Sequence, residues 1–72
     1  MENGNNNLIR DGMFKGYPDV VSVEQLMEML DIGKVLAYRL IKSRKIKAAK
    51  IGRAYKIAKQ NVADYLLQSS ER

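Results

Sequence analysis

The chain of 72 residues has no cysteine and no histidine. Disulfides, thiolate nucleophiles, imidazole general bases and the usual zinc ligand sets are thereby excluded. Tryptophan is absent, and phenylalanine and proline occur once each. The core must therefore stand on packing of aliphatic residues and a few tyrosines, in a chain whose size lets it bury only about 60% of its unfolded surface. No apolar run approaches the roughly 18 residues that a membrane span needs, and the N-terminus lacks the basic and then apolar regions of a signal peptide. The expectation is one small cytoplasmic domain with no membrane association and no cofactor. The lack of cysteine fits a reducing compartment.

The most informative absence is local. From Lys34 to Lys59 there is no Asp or Glu in 26 residues, which contain ten Lys or Arg. Met1 to Gly33 carries two basic and six acidic residues, a balance of −4, whereas Lys34 to Arg72 carries eleven and two, a balance of +9. The overall charge of +5 hides this asymmetry. A field so concentrated on one part of a small domain is the footprint of a surface that meets a polyanion.

Catalysis finds little support. Most carboxylates lie in the first half, where Glu24 and Glu28 form an i, i+4 pair of the solvated kind. Gly33 followed by Lys34 is no phosphate loop, because the earlier glycine and the hydroxyl residue after the lysine are missing. A non-enzymatic protein is expected.

Met1 to Gly16 holds four asparagines and three glycines and has too little apolar surface to offset its ordering entropy. It reads as the body of a flexible N-terminal arm, residues 1–17, in which Met13, Phe14 and Tyr17 can dock locally. Pro18 and the β-branched Val20 and Val21 favour a short extended segment. Ser22 is a natural N-cap, with Gln25 placed to complete a capping box, and Val23, Leu26, Met27, Met29 and Leu30 form the buried face of a first helix ended by Asp31, Ile32 and Gly33. A second helix runs from Lys34 to Ser43 or Arg44. Leu36, Ala37, Leu40 and Ile41 make its packing face, and Lys34, Val35, Tyr38, Arg39 and Lys42 its outer one.

After Lys45 the period changes. The runs Ile46–Ile51 and Ala54–Ile57 around Gly52 and Arg53 predict a β-hairpin with a basic tip, with Ile46, Ala49, Tyr55 and Ile57 facing the helices. A last helix is expected from Lys59 to about Gln68, its stripe formed by Val62, Tyr65, Leu66 and Ser69, before a frayed tail over residues 69–72. The folded domain is thus placed at residues 18–68. Its class is mainly α with a small β-hairpin: a winged helix-turn-helix of about three helices plus a wing.

The order and spacing of Ser22, Glu24 and Leu30, of Tyr38, Arg39, Leu40 and Ile41, of Lys50, Ile51, Gly52 and Arg53, and of Ile57, Val62, Tyr65 and Leu66 make Val21 to Leu67 resemble the small winged-helix domain of the excisionase family. These are phage and transposon proteins whose fold is related to that of MerR-type regulators. The sequence departs from the family pattern at several places. Met27 replaces a small alanine, which sets the two helices slightly further apart, and Asp31 replaces a turn glycine, which strains the turn. Gly33 stands for the usual Ser or Thr cap. Arg44 replaces a near-standard glycine, so it must accept positive φ or reroute the connection. Val35 and Leu36 fall where the family offers small polar residues to bases.

The residues expected at a DNA surface are Lys34, Val35, Tyr38, Arg39, Lys42, Lys50, Arg53 and Lys56. Arg39 has the fork geometry for a guanine edge or a phosphate, and Lys34 lies where helix N–H groups and its own charge converge on a phosphate. Tyr38 either donates to a phosphate or closes the boundary between the helix faces, and Val35 either meets a thymine methyl or is simply an exposed apolar residue. Lys50, Arg53 and Lys56 are suited to straddling a backbone or to placing Arg53 in a minor groove, and hairpin lysines also discourage edge-to-edge aggregation. The resemblance implies an excisionase, which binds repeated sites as several copies, bends double-stranded DNA and assists a cognate integrase. A small transcriptional regulator would use the same surface. A protein-interaction module would instead use Val35 and Leu67 as exposed anchors.

Overall fold

Ser22 opens the first helix as its chemistry dictates. Its Oγ accepts from the Gln25 N–H at 3.2 Å while its own N–H donates to Gln25 Oε1 at 2.9 Å, closing a capping box. The computed structural model that contains it describes residues 13–69. The expected flexible arm lies outside these residues over 1–12 and the expected tail over 70–72; Ser69, placed both in that tail and on the apolar stripe, is instead the exposed last residue of the final helix.

The elements in order are β1 (Val20–Val21), α1 (Val23–Leu30), α2 (Lys34–Lys42), β2 (Ala49–Ile51), β3 (Ala54–Ala58) and α3 (Lys59–Ser69). This is a winged helix-turn-helix: three helices and a small antiparallel sheet of order β1-β3-β2. The extended segment near Pro18 is more than a lead-in. Val20 pairs with Ala58 and Val21 with Ile57, so β3 becomes the central strand and the hairpin is anchored to the body of the domain. Val21 and Ile57 are both fully buried there, beside Leu26, Ile46 and Val62.

Both helices of the helix-turn-helix end in the same way. Asp31 sits at φ 56°, with its N–H donating to Glu28 O and the Ile32 N–H to Met27 O. Arg44 sits at φ 65°, with its N–H donating to Ile41 O at 3.1 Å and the Lys45 N–H to Leu40 O at 3.0 Å. These paired bonds define Schellman motifs, in which the left-handed residue is usually glycine. Of the two routes open to Arg44, the chain takes positive φ. It then drops Ile46 into the core, with the Ile46 N–H also donating to Leu40 O.

Three expectations are corrected. Ala37, Leu40 and Ile41 are buried in α2, but Leu36 is 40% exposed. At 100° per residue it lies roughly 90° from the middle of that buried stripe, on its margin rather than within it. The hairpin strand begins at Ala49, not at Ile46, since Ile46 is used as a loop anchor. Ala49 is exposed and paired with Lys56, so strand alternation turns it away from the face that holds Tyr55 and Ile57.

The segment before β1 is tied down where it is described. Phe14 and Tyr17 make an edge-to-face ring contact with centroids 6.3 Å apart and pack against the core. The Tyr17 hydroxyl donates to Glu28 Oε1 at 3.1 Å, and Tyr17 O accepts from Lys59 Nζ at 3.0 Å. Burial, and then the hydrogen bond and charge of Glu28, raise the Tyr17 phenol above its ordinary value of 10.0. At the far end, Asn61 Nδ2 on α3 donates to Lys47 O, holding the loop after α2 against the third helix.

Candidate nucleic-acid interface

The outer face of α2 is built by the burial of its opposite face. With Ala37, Leu40 and Ile41 committed to the core, helical periodicity leaves Val35, Arg39 and Lys42 directed outward, and all three are exposed. Val35 is 74% exposed, the most open of the large apolar side chains among the described residues. Lys34 is the first residue of α2, also exposed, beside an N-cap, Gly33, that supplies no side-chain acceptor. The amides of this first turn therefore lack the side-chain partner that Ser22 gives α1.

Tyr38 is different from its neighbours. It is half-buried, and its ring meets Tyr55 of β3 edge to face, with centroids 5.9 Å apart at 68°. Lys50 Nζ stands 5.7 Å from the centre of the Tyr55 ring, within cation–π range. A continuous train of helix tyrosine, wing tyrosine and wing lysine thus joins α2 to the hairpin. The ring of Tyr38 thus sits at the boundary between the faces of α2 with its hydroxyl still available, and Tyr55 packs against the core under the wing.

The wing separates its cations. Lys50 is opposite Tyr55 and Lys56 is opposite Ala49, so pleating sends Lys50 to the face that carries Tyr55 and Lys56 to the other. Arg53 is exposed in the turn beside Gly52, whose φ of 63° is the positive value expected of the hairpin glycine. The structure therefore brings Val35, Arg39 and Lys42 onto one face of α2, with Lys34 exposed at its first turn, off the middle of that face. It joins Lys50 to that helix through the tyrosines, and leaves Arg53 at the tip and Lys56 on the reverse of the wing.

Between the C-terminal end of α2 and the root of the wing lies an open groove of about 660 Å³. Ile41, Ile46, Ala48 and Tyr55 form its apolar lining, and Lys42, Arg44 and Lys47 are its only charged residues. Two of these cations, Arg44 and Lys47, were not among the expected site residues. Their membership in the acid-free stretch was visible, but a groove formed by a loop folding back under a helix leaves no periodic signal. On the other side of the same loop, Arg44, Lys45 and Lys47 border a second groove with Asn61, Asp64, Tyr65 and Gln68 of α3.

A helix-turn-helix with a basic outer face, continued by a basic wing, is the constellation of a duplex-binding module. The chain matches the family described as a helix-turn-helix domain over residues 20–70. It belongs to that family. The match spans both helices, the wing and α3, and supports a small helix-turn-helix DNA-binding protein, of a kind that is typically non-enzymatic. No curated protein and no solved structure gives a significant match. Among the described residues no acidic cluster could hold a metal ion, and no helix is long and apolar enough to cross a membrane.

Proposed function

We propose that this domain binds duplex DNA with α2 in the major groove and the wing over the flanking backbone, and that it works as an excisionase. In this role copies of the chain occupy repeated sites beside an attachment site, bend the DNA and favour excision by a cognate integrase. The observation that carries the DNA geometry is the outer face of α2, where Arg39 and Lys42 stand exposed on the helix tied by Tyr38 and Tyr55 to a cationic wing. Arg39 reads a guanine edge or grips a phosphate, and Lys34 adds its charge to the open amides of the first turn. Val35 is set to meet a thymine methyl. Tyr38 is a phosphate donor through its hydroxyl alone, since its ring is taken by Tyr55. Lys50 and Arg53 neutralise backbone charge along the wing, and Lys56, on its reverse, adds to the positive field around it.

The excisionase role rests on the resemblance of Val21 to Leu67 and on the amount of cationic surface. Bending a site costs on the order of 1–6 kcal/mol, which many phosphate contacts must offset. The role is tested by a reconstituted integrase reaction together with a gel assay of bend angle. Stimulated excision on bent DNA supports it. Tight, specific binding without bending or stimulation assigns the same surface to a transcriptional regulator. Salt-insensitive binding of a protein partner, with no DNA affinity, would replace both by an interaction module. Leu67 is half-buried, which weakens that last reading.

A further inference from the structure

We infer that the groove between the end of α2 and the root of the wing holds a phosphodiester segment of the bound duplex, with Arg44 and Lys47 joining Lys42 as its ligands. The inference rests on the DNA-binding reading and extends it to two residues off the helix face and off the wing strands. Three observations carry it. The groove is lined by three cations and no carboxylate. Apart from the Tyr55 hydroxyl its remaining side chains are apolar, with Ile41 and Ile46 set into the core behind it, and low-dielectric walls beside charge of one sign focus the field toward an anion. The groove is also continuous with the proposed interface, because Lys42 belongs to the outer face of α2 and Tyr55 to the train that reaches Lys50.

The local backbone explains why cations collect there. At the end of α2 the carbonyls of Arg39, Leu40 and Ile41 accept from the N–H groups of Ser43, Arg44, Lys45 and Ile46. The side chains of Lys42 and Arg44 are therefore not needed to satisfy these carbonyls, and both are exposed. Arg44 holds a left-handed conformation where glycine is cheaper. A strained arginine at the mouth of a cationic groove is the arrangement expected where the guanidinium serves a ligand and not the fold. Asp64 borders the neighbouring groove with Arg44, Lys45 and Lys47, so the loop stands between an acid-free side and one with a carboxylate. A phosphate is best accommodated on the acid-free side.

The test is fluorescence anisotropy of wild type, Arg44→Gly, Lys47→Gln and the double variant on one duplex and on a sequence-scrambled duplex, from about 50 to 200 mM salt. Each substitution should lower the slope of log affinity against log salt by about 1, the double variant by about 2, equally on both duplexes. Arg44→Lys should restore most of the slope lost in Arg44→Gly. Circular dichroism melts confirm folding, and Lys47→Gln, an exposed loop change, keeps the test open should the Arg44 variants be altered in stability. Unchanged slopes in folded variants, with the wild type still binding, overturn the groove while leaving the DNA reading intact. No binding by the wild type overturns the DNA reading itself. A free mononucleotide that shifts the Ala48 and Tyr55 amides as strongly as duplex does would make the groove a small-molecule site and overturn the inference.

Discussion

Arg44 carries the clearest conflict between local and global demands. An L-residue with a side chain in the left-handed region costs roughly 1–2 kcal/mol; glycine would relieve this but lose part of the gain to its greater unfolded entropy. Arg44→Gly is therefore expected to be neutral or stabilising by up to about 1 kcal/mol in urea unfolding. A loss of stability would show that the arginine side chain supports the fold. Asp31 occupies the equivalent place at the end of α1, but its short polar side chain tolerates that conformation, so less strain is stored there. Tyr17 gives a second residue-level expectation. Its phenol is raised by burial and by Glu28, so the folded state holds the proton more tightly than the unfolded state. That contribution is fully present below the ordinary value of 10.0 and is lost as pH rises through the raised folded value. The stability advantage of wild type over Tyr17→Phe should be constant between about pH 7 and 9 and shrink above it. An advantage that stays level into the alkaline range would mean that the contact with Glu28 is not kept in solution.

At the scale of elements, the capping box and the tyrosine train make separable claims. Ser22→Ala removes the Oγ that accepts from Gln25 N–H and should cost about 1 kcal/mol of stability. Because β1 ends one residue earlier, at Val21, the same change also tests whether the strand depends on the helix that follows. Tyr38 and Tyr55 belong to different elements, and an edge-to-face pair contributes on the order of 0.5–1.5 kcal/mol beyond area burial. A double-mutant cycle with leucine at both positions should return a coupling energy in that range. A coupling near zero would leave the angle between α2 and the wing to the rest of the core packing, Leu40, Ile41, Ile46 and Ile57 among it. The elements themselves were largely legible beforehand. Ser22, the apolar spacing in each helix and the glycine between two short runs each act within a few residues, where periodicity and turn chemistry speak directly. Leu36 and Ala49 were misplaced because each lies at the margin of a pattern, where a neighbouring element decides whether it is covered.

For the whole molecule, the separation of charge along the chain becomes a separation in space only through the fold. The outer face of α2 and the exposed positions of the wing carry the cations, while Glu24, Glu28 and Asp31 stay with α1 and its turn. With about five phosphate contacts, duplex affinity should fall roughly 500-fold between 50 and 200 mM salt. Arg39→Ala and Lys42→Ala should each weaken binding without unfolding the domain, since both side chains are exposed and outside the core. Titrations of these variants, paired with thermal melts, check both halves of the statement. Unchanged affinity in both variants would move the interface off α2.

The sequence by itself determined the helices, their caps, the hairpin turn and the basic half of the domain, because each depends on contacts or charge close along the chain. Its resemblance to the excisionase pattern also marked Asp31 and Arg44, which stand where glycine is usual, as positions under conformational demand. Only the tertiary structure decided that Val20 and Val21 pair with Ala58 and Ile57, making the wing part of a three-stranded sheet. It alone set Tyr38 against Tyr55, sent Lys50 and Lys56 to opposite faces, and folded Arg44 and Lys47 beside Lys42 around one groove. These depend on which distant residues meet. That outcome is fixed by packing the whole core, and no local pattern in a single chain encodes it.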